Sequence, residues 1–508
     1  MLALPCLALL AVGASGLAQS VPSASPPTFT VAGLDSSSDG LSLTSAVYTA
    51  RDATGKWTPH DALSPDNASA YELLDKPNMG LSNKVLWARF SLKNQGNEAI
   101  ERVVQFRRSQ SLRTVDAYLF AGNKLLDEWH VGSIHPISNR PLNTLDVVLP
   151  IALPPGEERT MVMRVDSGGV TMQVEPKLWT IESMLEQVQV QQVLLWTYYG
   201  LFAIMGLYHL VVYLAVRERS YLHFAVFALA GVLMDMCFEG PAQQFITPAY
   251  PEASLRWFLP SAFLMLGMQL TFTCSVLDAR TYAPRLARTI TWFAYAIFAA
   301  IPVLFMVSRF VGHIGFIAVS TLDLVLCLSA GFITMRRGYA PARIYLLSWV
   351  VFFACIGTMV LANNGVLPSN LFTDQIVLRL GSAFQIVFFS LVLAKRVNLL
   401  RDQVRETSER LVESQQERIA AQTEALAIKE EAAANLQRKV DERTRELHDN
   451  MRKLRRLFDS LAQGVFSFGH DLTIRGNWSV AAERIFDQPD LQGAHVNTIL
   501  CERLAPWD

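Results

Sequence analysis

The stretch LVLAKRVNLLRDQVRE, residues 391–406, begins as an apolar membrane-type helix and becomes a charged soluble one within a few residues, with no Gly or Pro at the change. With no helix breaker present, the sequence predicts one uninterrupted helix running out of a bilayer. Upstream, seven apolar stretches reach the roughly 20 residues a helix needs to cross a membrane. They fall at 190–216, 221–239, 256–277, 289–308, 314–334, 344–362 and 376–394. Downstream, residues 395–453 are polar and rich in Glu, Arg, Gln and Ala. Their apolar positions Ile419, Leu426, Ala433, Val440, Leu447 and Leu454 recur every seven residues, which is a coiled-coil seam and implies a homodimer. Val397, Val404 and Leu411 keep the same step, but Leu411 to Ile419 is eight residues, a skip that must distort the supercoil locally.

Composition agrees with a membrane class: 508 residues, 51% hydrophobic, 18% charged, mean hydropathy +0.25. A net charge of −1 excludes an ordinary nucleic-acid binder, which carries a basic excess. Arg217 and Arg219, then Arg280, Arg285 and Arg288, then Arg336, Arg337 and Arg343, then Lys395 and Arg396 fall on one side of the membrane. The opposite loops hold Arg309, with Arg256 at a helix edge. The basic side is therefore expected to be cytoplasmic and the N-terminal region exported. Residues 1–18, apolar and ending in small residues, read as a secretory signal. Of six cysteines none lies in 19–185, so the exported part folds without disulfides, and no CxxC spacing points to a metal.

Residues 35–182 show short alternating apolar runs bounded by turns: LSLTSAVYT (41–49), VLWARFSL (85–92), RVVQF (102–106), TVDAYLF (114–120), LDVVLPIAL (145–153), TMVMRVD (160–166) and TMQVEPKLW (171–179). Seven or eight strands in this length predict an all-β sandwich. The expected fold class is a multidomain membrane protein: this sandwich outside, a seven-helix transmembrane bundle over 190–394, a cytoplasmic coiled coil, and a partial α/β unit over 454–508.

Charged residues within apolar spans are expensive and call for partners or roles. Asp235 and Arg379 fall at similar depth near the outer ends of the second and seventh spans and are expected to pair, with Glu239 sharing the arginine. Asp323, near the middle of the fifth span, reads as a hydrogen-bonded structural link, as do His209 and His223. In VLWARFSL, Trp87 and Arg89 project to one face and could together stack on a sugar and bond its hydroxyls; the alternative is a second packed layer. Arg140, in PISNRPL, is an exposed ligand candidate with loop anchoring as its alternative. A transporter or hydrolase with a lid-like outer domain is the rival reading, but it needs several ionisable groups at the midplane and only Asp323 fits.

With LSLTSAVYTARDATGKWT, LWARFSLKN, SNRPLNTLDVVLPIALPPGEE and MRVDSGG in this order before seven spans, residues 35–396 resemble the bacterial seven-transmembrane receptors with diverse intracellular signalling modules. The resemblance implies a periplasmic jelly-roll domain of the second type, similar to carbohydrate-binding modules, and hence a small-molecule ligand such as a carbohydrate. It implies a multi-pass protein of the bacterial inner membrane with its C-terminus in the cytoplasm. KVDERTREL (439–447) resembles the lead-in to output domains, and 454–493 resembles the start of a PAS domain, with a helix expected to begin at Asn477. The chain is expected to continue beyond Asp508 into an output module, such as a histidine kinase acting on a response regulator or a cyclic-dinucleotide enzyme, or to act on a separate signalling partner. No catalysis and no cofactor are expected in residues 1–508. RELHD (445–449) also resembles a phosphoacceptor box, which would make His448 a phosphate carrier. The kinase boxes this requires do not follow it, and beside a seam of Val440, Leu447 and Leu454 it reads as an ordinary coil residue.

Overall fold

In the computed structural model, residues 29–501 are described except 53–54, 75, 83, 107–111, 364–366 and 368–371. The expected signal segment lies outside the described residues.

Among the described residues, the first unit opens with thirteen strands. One sheet runs β4 (Glu72–Leu73), β3 (Tyr48–Ala50), β6 (Leu86–Asn94), β11 (Glu158–Asp166), β8 (Thr114–Ala121), β9 (Lys124–Val131), with β1 (Val31–Leu34) parallel to the far end of β6. The facing sheet runs β10 (Val147–Leu153), β7 (Ile100–Phe106), β13 (Pro176–Trp179), β2 (Leu41–Ser42); β5 (Asn78–Leu81) pairs with β12 (Thr171–Gln173). Leu86, Ala88, Phe90 and Leu92 alternate inward from β6 and meet Val104 and Phe106 of β7 and Leu149 and Ile151 of β10 in one core, which makes the two sheets a sandwich. The strand β9 escapes the sequence pattern because it is an edge strand whose residues 124–130 are almost all exposed and charged or mixed, with no alternation to read. Gly122, at φ +58°, turns the chain from β8 into β9.

A second layer covers part of the outer face of the larger sheet. Helix α1 (Pro59–Leu63), held by a capping box between Thr58 and Asp61, places Ala62 beside Tyr48, Tyr71, Trp87, Phe120 and Val162.

Seven helices long and apolar enough to cross a membrane follow: α2 (Ile181–Val216), α3 (Arg219–Glu239), α4 (Pro251–Val276), α5 (Pro284–Leu304), α6 (Arg309–Arg336), α7 (Pro341–Asn363) and α8 (Val377–Ser460). Helix α2 starts nine residues before the expected span at 190. Its added turns, IESMLEQVQ, are too polar to register as membrane sequence, yet Met184 within them packs on Val103 and Val148 of the sandwich. At the other end, α8 continues through the membrane–solvent change to Ser460 without a break, as the absence of Gly and Pro dictates.

The second unit, from Arg401, comprises the soluble length of α8 and a small element set: β14 (Phe466–Phe468), β15 (Ile474–Trp478), α9 (Val480–Phe486) and α10 (Val496–Cys501), gathered around Ile474, Ala482 and Leu491. Asn477 lies within β15 rather than starting a helix. The start falls at Ser479, whose hydroxyl accepts from the Ala482 N–H and so caps α9.

Candidate functional site

Besides the packing of Met184, further contacts join the sandwich to the membrane helices or the segments between them. Arg102 donates to the Ser36 and Ser38 carbonyls at 2.8 and 2.9 Å and so anchors the loop carrying Asp39. Asp39 Oδ1 then accepts from the Thr180 N–H at 2.7 Å, and Thr180 is the N-cap of α2. Partial burial alone would raise the Asp39 pKa, but hydrogen bonds from Ser183, Thr180 and Gly40 and the charge of Arg102 outweigh it and hold the carboxyl below its ordinary value. Second, Gln243, between α3 and α4 and buried, donates to the His135 carbonyl at 2.9 Å. Third, Gly169, at φ +90°, presses so closely on the start of α6 that a Cβ there would lie 2.8 Å from Phe310 Cβ and 3.0 Å from its backbone nitrogen.

Within the bundle, α8 is tied to α2 and α3 by polar pairs along its length. Arg379 Nη2 lies 3.6 Å from Glu239 Oε2 at one end of α3. Arg396 Nη1 lies 3.2 Å from Glu218 Oε1 at the other end and also reaches Ser220 Oγ. Between them, Ser382 Oγ is 3.4 Å from Tyr198 OH, and Ser390 Oγ is 3.1 Å from His209 Nε2, while His209 Nδ1 donates to the Met205 carbonyl at 2.8 Å. Phe389 of α8 is fully buried, stacked on Tyr345 at 5.2 Å and against Phe272 at 5.3 Å.

The polar residues singled out in the sequence fall as follows. Asp235 is buried within electrostatic reach of both Glu239 and Arg379, and Arg379 Nη2 lies 3.6 Å from Glu239 Oε2. Glu239 lies one helical turn nearer the membrane edge than Asp235, where less desolvation opposes an ion pair. Asp323 is fully buried; its Oδ2 accepts from Gln269 Nε2 at 3.2 Å, which joins α6 to α4.

The ligand residues expected outside are engaged internally. Trp87 is 1% exposed and fills the second layer. Arg89 sits over the Phe29 ring at 4.1 Å and donates to the Leu63 carbonyl at 3.1 Å; burial lowers its pKa. Arg140, expected exposed, is 5% exposed. It donates to the Thr144 and Leu145 carbonyls at 2.9 and 2.6 Å, and burial pushes it down to about 10, with Asp146 opposing the shift. With the Gly132 carbonyl 3.4 Å from Nη2, three carbonyls turned toward one guanidinium are a loop anchor, and no pattern in PISNRPL announces them.

The open half of the larger sheet's outer face offers a different constellation. Adjacent strands place Arg164, Asp116 and His130 in one row across β11, β8 and β9. Asp116 accepts from Arg164 Nη1 at 3.4 Å and contacts His130 Nδ1 at 2.8 Å, with the Tyr118 ring set edge-on to the imidazole. Arg164 and His130 remain 39% and 54% exposed, so donors and an acceptor are accessible there beside the partly buried Tyr118 ring. The sequence reading missed this row because its members lie on three strands, one of them the unrecognised β9.

In the second unit, the seam residues lie on the surface of the single chain: Ile419, Leu426, Val440, Leu447 and Leu454 are each at least half exposed. Ala433 is exposed as well. His448 is also exposed, its Nδ1 3.0 Å from the Thr444 carbonyl one turn back.

An exported-type β domain packed on seven membrane helices defines a class of multi-pass sensory membrane protein. Residues 191–396 match the family model described as 7TM diverse intracellular signalling, and residues 44–180 match that described as 7TMR-DISM extracellular 2. The chain belongs to this receptor family: a multi-pass membrane protein with an extracellular sensory domain, built of domains that are sensory and not catalytic. No curated protein matches the chain.

Proposed function

We propose that this chain is a dimeric receptor of the bacterial inner membrane: a periplasmic sandwich (35–182) binds a small hydroxylated molecule such as a carbohydrate, and a seven-helix bundle (190–394) carries the change to a signalling helix (395–453). Residues 454–508 are the start of a PAS-like domain, through which the helix acts on a fused or separate output module. The excess of Lys and Arg on the side from which α8 emerges supports a cytoplasmic output end.

The observation that carries this reading is the pair of overlong helices. α2 begins against the outer face of the smaller sheet, where Met184 packs on Val103 and Val148, and α8 leaves the bundle without a break. They meet inside the membrane at Tyr198–Ser382 and His209–Ser390. A shift of the sandwich moves α2, α2 moves α8, and a stiff helix passes the displacement on where a flexible linker would dissipate it. The exposed heptad stripe supports a second copy as the partner that buries it, and the skip between Leu411 and Ile419 supports a coil with two packings of similar energy.

The row Asp116, Tyr118, His130 and Arg164 supports the ligand class, because a sugar offers hydroxyls to the charged groups and a C–H face to the ring. Thermal unfolding of the purified full chain against a panel of mono- and oligosaccharides tests it. One sugar raising Tm by several degrees, with the shift lost in Arg164→Ala, is the expected result. No shift from any sugar, or a shift unaltered by Arg164→Ala and Asp116→Ala, contradicts the assignment.

A further inference from the structure

A cavity of about 40 Å³ lies inside the bundle where α2, α3, α4, α7 and α8 converge, with Tyr198, Gly231, Met265, Gln269, Ser382 and Gln385 in its wall. Gln269 is fully buried and Gln385 is 6% exposed. Gln269 Nε2 is committed to Asp323, which leaves its Oε1 as an acceptor with no partner among the described residues; Gln385 Nε2 is a donor in the same condition. One unpaired acceptor on α4 and one unpaired donor on α8 therefore line a single small space.

Buried amide atoms in a low-dielectric interior need partners, and water supplies both a donor and an acceptor. A site needs about 10–15 Å³ per water and two to four polar groups, so this cavity has room for about three. It is too small for a drug-sized ligand, and no carboxylate lines it to hold a cation. We propose that this cavity is a built hydration site in which water bridges the Gln269 carbonyl on α4 to the Gln385 amide on α8. Asp323, by fixing the Gln269 amide, is the positioning residue for that bridge. Water can re-form its hydrogen bonds after a small displacement, whereas interlocked side chains cannot. The site thus lubricates α8 one turn from the Phe389 anchor, and it stands whether or not the sandwich senses a sugar.

Radiolytic labelling of the full chain in lipid nanodiscs tests this, because X-rays generate hydroxyl radicals from bound water that oxidise adjacent side chains. Met265 reports on the cavity; Met234, 1% exposed and outside its wall, is the dry control, and Met306, 90% exposed, is the wet one. The expected result is oxidation of Met265 at least fivefold faster than Met234. That rate should fall toward the Met234 rate in Gln385→Leu and in Gly231→Ala, with Met306 unchanged. Gly231→Ala is the gentler variant, since its Cβ would meet only Met265, at 3.6 Å or beyond. Met265 labelling no faster than Met234 in the wild type shows a dry cavity and overturns the proposal. So does fast labelling that neither variant reduces.

Discussion

Arg396 Nη1 and Glu218 Oε1, 3.2 Å apart, tie the exit of α8 to the cap of α3, and both side chains are no more than a quarter exposed. Arg379 makes the matching contact with Glu239 seventeen residues earlier, a rise of about 25 Å along a helix and close to the hydrocarbon thickness. The output helix is thus pinned to one neighbour at both membrane boundaries. Arg396→Ala strands a largely buried carboxylate and should lower bundle stability by about 1–3 kcal/mol. The exchanged pair Glu218→Arg with Arg396→Glu should recover most of that loss in a double-mutant cycle measured by unfolding in bicelles. Equal losses in the single and exchanged variants would show that the two charges act independently.

Phe389 is the apolar counterpart of these clamps. Fully buried among Phe272, Tyr345 and Trp349, it should cost about 3–5 kcal/mol when cut to Ala, among the largest single losses in the bundle. Leu380, 43% exposed on the same helix, should change stability by less than about 0.5 kcal/mol when replaced by Ala. The same unfolding measurement checks both.

Gly169 has no room for a side chain against Phe310 and holds a φ that disfavours one. Gly169→Ala should therefore lift the sandwich from α6 while leaving each part folded. Limited proteolysis should cut the 166–171 loop at least tenfold faster, with circular dichroism unchanged. Unaltered cleavage would mean that the loop yields instead of the interface.

Acid should loosen the junction with α2. The Asp39 carboxyl is held below its ordinary value of 3.8, so its contribution is complete above that pH and is lost as pH falls through the folded-state pKa. Hydrogen exchange at the Thr180 amide should be slow and set by the junction at neutral pH, then lose protection below about pH 4. In Asp39→Asn the extra acid step should disappear.

Much of this architecture was legible in the sequence because it rests on periodicities. Seven apolar runs near 20 residues and an inward alternation such as Leu86, Ala88, Phe90 and Leu92 mark the helices and the core strands without tertiary information. What escaped depends on partners far along the chain. Nothing in IESMLEQVQ shows that Met184 finds Val103 and Val148, and nothing near Arg140 shows that carbonyls will enclose it. Trp87 and Arg89 looked like a ligand platform because strand alternation gives the face but not whether another layer covers it; α1, Phe29 and Tyr71 do so here. The Asp116–His130–Arg164 row required strand order, which alternation does not encode.

In the proposed mechanism, movement of the sandwich alters the packing of the helix that leaves the membrane. Single cysteines at Val404, Leu411, Ile419 and Leu426, in an otherwise cysteine-free full chain in membranes, read that packing by disulfide crosslinking between copies. Each is to be compared with and without Gly169→Ala, which disturbs the sandwich more than 230 residues upstream of the seam. Crosslinking is expected to shift in opposite senses on the two sides of the skip between Leu411 and Ile419. Equal and unchanged crosslinking at all four positions would make the helix a static stalk and contradict the account.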